Sequence, residues 1–78
     1  MPRYHFPLSD GDAETPDPVG TDLPDIEAAR LAAVRTLLEI ARYRVDGAAD
    51  STRLSMKVVE QGRVLLVVEF ALNVQAGW

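Results

Sequence analysis

An alternating apolar run and a returning apolar run that meet at Glu60-Gln61-Gly62 constrain this chain more than any other feature. Leu54, Met56 and Val58 alternate with Arg53, Ser55 and Lys57, and the returning run extends from Arg63 to about Leu72. A period of two closed by a glycine turn predicts a β-hairpin with one apolar face. A lone hairpin is marginal in water, so another part of the chain must cover that face. A three-residue loop Glu60-Gln61-Gly62 puts Gly62 in the left-handed position of a turn with a bulge. It pairs Val58 with Val64, Met56 with Leu66 and Leu54 with Val68, all apolar. A two-residue Gln61-Gly62 turn sets Leu54 against Glu69 and is disfavoured. The preferred register leaves Val59, Leu65 and Val67 on the outer face with Arg53, Lys57, Arg63 and Glu69.

The cover is a helix predicted from about Ile26 to about Val45. Asp25 is its N-cap, with Asp22 the alternative, and Glu27 suits the first turn. Arg42 and Arg44 suit the last turn, and Gly47 is placed to end the helix in the left-handed conformation. At helical spacing Ile26, Ala29, Ala33, Val34, Leu37, Ile40 and Ala41 fall on one arc. Leu31 and Leu38 lie on its flank and, with Val34, Ala41 and Val45, form a second stripe. The apolar arc is about 200° wide, whereas a helix on one sheet needs only about 100°.

Upstream, Tyr4, Phe6 and Leu8 alternate with Arg3, His5 and Pro7, which predicts a short strand. Pro7 cannot donate to a ladder, so it must sit at an edge or have its nitrogen facing away from a partner. Residues 9–24 are rich in Asp, Pro and Gly and read as an acidic loop, functional or mobile, with a brief strand allowed at Ala13–Thr15. The 78 residues fit one small α+β domain, 1–78. It is expected to be an antiparallel sheet of three to four strands with one long helix on a face, in the order β-(β)-α-β-β.

Cysteine is absent, which removes disulfides, thiolate metal sites and cysteine nucleophiles. The longest apolar run, Val64–Val68, has five residues, against about 18 for a membrane span. No secretory leader is visible, so the expected setting is cytoplasmic. Seven of the 12 acids precede Ala28, and the net charge of −4 makes a general nucleic-acid binder unfavourable. No catalytic constellation, metal site or cofactor site is expected. His5 is the lone histidine and falls on the polar side of its strand. Asp10-Gly11-Asp12-Ala13-Glu14 has carboxylates at alternate positions, but Thr15 and Thr21 stand where a calcium loop needs Gly and Glu. Ser9, Ser51 and Ser55 lack a nucleophile-elbow context.

Two surface features remain. Arg53, Lys57 and Arg63 form a candidate basic patch for nucleic acid. Leu31, Leu38, Val59, Leu65 and Val67 form a candidate apolar interface, because adjacent apolar patches mark contact surfaces. The competing reading has the acidic loop and the C-terminal residues Leu72, Val74 and Trp78 cover the helix.

Met1-Pro2-Arg3-Tyr4-His5-Phe6, the Asp-Gly loop, Leu23-Pro24-Asp25-Ile26-Glu27-Ala28-Ala29-Arg30 and Gly62-Arg63-Val64-Leu65-Leu66 resemble a family of small uncharacterised proteins. That family occurs in alphaproteobacteria, especially rhizobia-type soil bacteria. The resemblance implies a bacterial, intracellular protein and supplies no chemistry. The expected function is a non-enzymatic interaction or regulatory module, partnered by a second copy of itself or by another protein.

Overall fold

A computed structural model describes residues 1–11, 13–46 and 51–77. Asp12, Gly47 and Trp78, and the side chain of Val45, lie outside the described residues, and with them the expectations placed there. The elements run β1 (Arg3–Tyr4), β2 (Leu8–Asp10), β3 (Ala13–Thr15), β4 (Thr21–Asp22), α1 (Ile26–Asp46), β5 (Ser51–Glu60) and β6 (Arg63–Asn73). The α+β class and the order of helix and hairpin are as the sequence predicts.

β5 and β6 form the hairpin, and β2 and β3 complete a four-stranded antiparallel sheet in the order β3-β2-β5-β6. β1 pairs with β4 and joins this sheet through a bridge between His5 and Val59. The bridge keeps the register of Leu8 with Met56, so residues 3–10 act as one strand along β5. Pro7 lies within it. Its carbonyl accepts from the Lys57 N–H at 3.1 Å. The return bond to the Lys57 carbonyl is the one a proline cannot make. The sequence expectation, an edge position or a nitrogen turned from any partner, is thus corrected: Pro7 takes a ladder position against β5 and leaves one bond unmade.

The hairpin register also differs from the sequence expectation. Gln61 and Gly62 both have positive φ, 50° and 77°, which is a two-residue turn with the twist that strands favour. Glu60 therefore faces Arg63 and Val59 faces Val64. The register then shifts, so that Val58 faces Leu66, Met56 faces Val68 and Leu54 faces Phe70. One extra residue on β6, at Val64-Leu65, forms a bulge that restores the apolar pairing a two-residue turn alone would destroy.

α1 begins as predicted. The Asp25 carboxylate accepts from the Ala28 N–H at 2.9 Å, an N-cap bond. Asp22, the alternative cap, instead takes Arg3. Ala29, Ala33, Leu37 and Ala41, four residues apart, are buried against Leu54, Met56, Val58 and Tyr4. Alanines along this seam let the helix backbone approach the sheet closely. Ile26, predicted on the core arc, is exposed at the first turn, beyond the sheet.

Gln61 pays the cost of a positive φ without glycine's freedom. Gln61→Asn should raise stability by about 0.5–1 kcal/mol, read as a higher urea midpoint with unchanged slope.

Candidate interaction surface

The acidic segment is a folded arm, which corrects its reading as a loop apart from Ala13–Thr15. It turns at Gly11 and runs back along residues 3–10, with β3 against β2 and β4 against β1. Between them, Pro16-Asp17-Pro18-Val19 breaks the pairing, and Asp17 fills the gap. Its carboxylate accepts from the Phe6 N–H at 2.9 Å and the Gly20 N–H at 3.1 Å. Its carbonyl lies 2.7 Å from His5 Nδ1. Acceptance at a carbonyl assigns the proton to Nδ1. Arg3 grips the far end of the arm, with Nε and a terminal nitrogen on the two Asp22 oxygens at 3.0 and 3.2 Å, and its other nitrogen donates to the Val19 carbonyl at 2.8 Å.

These bonds hold the Asp17 carboxyl below its ordinary value of 3.8. The Phe6 N–H is the main cause; partial burial opposes it, and the Gly20 N–H, His5 and the Val19 N–H assist. Burial raises the Tyr4 phenol above its ordinary value, and the Glu60 and Asp25 charges push the same way.

The structure divides the candidate apolar residues between two sides. Leu31 and Leu38 sit on the helix, 42% and 55% exposed. Val64, Leu65 and Val67 are 54%, 39% and 47% exposed. Val67 stands opposite Lys57, and Val64 and Leu65 share the place opposite Val59, so these residues belong to the sheet face turned from the helix. Val59 itself is half-buried. The helix group and the sheet group are therefore not one patch. Val64, expected inside against Val58, is outside because the two-residue turn sets it opposite Val59. Neither the arm nor Val74, itself exposed, covers Leu31 and Leu38.

The basic patch is also divided. Arg53 and Lys57 share the outer face, with Glu69 opposite Ser55 between them. Arg63 stands opposite Glu60, one step past Val59 and so on the helix side at the turn. The two-residue turn again explains the correction. At the other end of the sheet Asp10 pairs with Arg44 from the last turn of α1. They border a groove of about 680 Å³ with Thr52, Arg53, Ala71 and Asn73. Among the described residues, no three His, Asp or Glu side chains gather as metal ligands, and no helix is long and apolar enough to cross a membrane.

The Asp17 role was missed from sequence, although Asp17-Pro18-Val19-Gly20 carries its signal: an Asx residue followed by a proline and a glycine.

A family model for a domain of unknown function, DUF6894, matches residues 3–71. No curated protein and no solved structure matches the chain.

Asp17 carries two predictions. Its depressed folded value means its contribution is complete above the ordinary carboxylate value and is lost as pH falls through the lowered one. Asp17→Asn should therefore cost about 1–3 kcal/mol at pH 7, and the gap to wild type should narrow in acid, as urea midpoints at several pH values will show. At Gly20 φ is 74°, and an added Cβ would lie 2.8 Å from the Tyr4 carbonyl oxygen. Gly20→Ala should cost about 1–3 kcal/mol, measured as a lower midpoint.

Proposed function

The chain belongs to the DUF6894 family, and from its uncovered apolar surface we propose that this member is a non-enzymatic interaction module that works as a homodimer in the bacterial cytoplasm. The observation that carries the reading is Leu38, an exposed leucine in the middle of the helix, on the flank of a seam already buried against the sheet. Leu31 lies seven residues before it, and both would be costly to leave in water on a chain that buries so little. Self-association through a two-fold axis is the commonest way such a surface is covered. A regulatory role suits a small folded module that works through the side chains it presents. The bacterial, cytoplasmic setting draws support from the opening Met1-Pro2-Arg3-Tyr4 and the Leu23–Arg30 resemblance.

Sedimentation of the full chain over a range of concentrations tests this. Wild type should form a dimer, and Leu38→Glu should be monomeric with an unchanged circular dichroism spectrum. A wild-type chain that stays monomeric at high concentration overturns the reading.

A further inference from the structure

We propose that two copies join along the free edge of β6, antiparallel about a two-fold axis at Phe70, so that their sheets run into one. The inference rests on the homodimer reading above and names the contact that makes the dimer.

Backbone alternation shows what the edge offers. His5 and Val59 exchange both of their hydrogen bonds, at 2.8 and 2.9 Å. Val59, Lys57 and Ser55 thus point their backbone groups toward residues 3–10, and Val58, Met56 and Leu54 point theirs toward β6. Those three face Leu66, Val68 and Phe70. The N–H and C=O groups of Val67, Glu69, Ala71 and Asn73 consequently point away from β5, on the side where β6 has no further neighbour among the described residues.

The two edges of the sheet are unlike. The far edge consists of β3 and β4, three and two residues long, separated by Pro16 and Pro18 and carrying Glu14 and Asp22. Short strands, prolines and charges are how proteins block edge pairing. β6 has 11 residues, no proline and no lysine, and Glu69 is its one charge beyond Arg63. A protein that defends one edge and leaves the other open is built to pair through the open one.

Glu69 selects the register. An axis at Glu69 would set two carboxylates directly opposite, which is destabilising. An axis at Phe70 sets Glu69 opposite Ala71 of the second copy and Val67 opposite Asn73. These are the residues whose free backbone groups point outward, so each such pair can exchange both bonds. On the helix side, Phe70 meets Phe70 and Val68 meets Leu72. The Val64-Leu65 bulge stays outside the paired stretch.

The helix position fits the same axis. α1 packs over β5 and β6. With strands about 4.8 Å apart, a helix above the gap between them lies about 5 Å from the axis. Its counterpart then lies about 10 Å away, the spacing of packed helices. α1 starts beside β4, which pairs with β1, and its last turn reaches Asp10, so it runs antiparallel to β5. The β4–α1–β5 connection links parallel strands and takes the right-handed crossover that such connections take. In that arrangement the right-handed winding of α1 turns Val34 and Leu38 toward the β6 side. Leu38 would then pack on the second helix.

The test is residue-by-residue amide exchange on the ¹⁵N-labelled full chain, at concentrations where sedimentation reports monomer and dimer. The expected result is that Val67, Glu69, Ala71 and Asn73 exchange roughly tenfold or more slowly in the dimer. Ala71→Pro, which removes an outward N–H only, should remain folded and become monomeric. A dimer in which those four amides exchange at the monomer rate overturns the β6 edge and leaves the homodimer reading standing. A monomer at every concentration overturns both.

Discussion

Backbone pairing between residues 5–10 and β5 is the contact on which the rest of the structure depends. It links the first residues of the chain to a strand that begins some 40 positions later and turns a hairpin into a sheet broad enough to seat a helix. It also places Tyr4 in the core beside the helix. The unmade bond at Pro7 falls in the middle of this pairing, so its strength rests on the His5–Val59 bonds above it and the Ser9–Ser55 pair below. Asp17 supports it from the other side. By accepting from the Phe6 N–H across a break in the arm, one carboxylate supplies the acceptor that a paired strand residue would have supplied.

Local chemistry was the most legible part of the sequence. Asp25, the alanine seam and the period of α1 depend on near neighbours only, and the helix forms where they place it. The alternation of residues 3–8 was likewise visible. The hairpin register was not, because two one-residue shifts of the same sense combine in it. The turn is one residue shorter than expected and the bulge at Leu65 adds a second step, so Leu54 faces Phe70 instead of Val68. Either change alone would have exposed Leu54's partner, so burial reasoning rejected the correct turn. The arm was hidden for another reason: Asp17, Asp22 and Arg3 act through backbone groups distant in sequence, and their types alone suggest solvated loop. For the candidate surface, the exposure of Leu31 and Leu38 was legible from helix geometry. The placement of Val64 on the outer face and of Arg63 on the helix side was not, since both follow from the two-residue turn.

The two ends of the sheet show opposite solutions to one physical problem. Any open sheet leaves backbone groups unpaired at its margins. On the arm side the chain folds back, interrupts its own strands with proline and seals the break with a carboxylate. On the hairpin side it presents a long regular strand. This asymmetry concentrates whatever binding capacity the backbone has at a single margin.

The bulge at Val64-Leu65 also bears on how the family can vary in length. Elsewhere in the hairpin, gaining or losing one residue would exchange the inner and outer faces of everything beyond it. At Leu65 a deletion would merely straighten the strand, because every residue from Leu66 onward already keeps the register of a regular ladder with β5. The hairpin thus holds one position at which chain length is free to drift while the core stays in phase. Aligned relatives that differ by a residue in this region are expected to differ there, not at the turn.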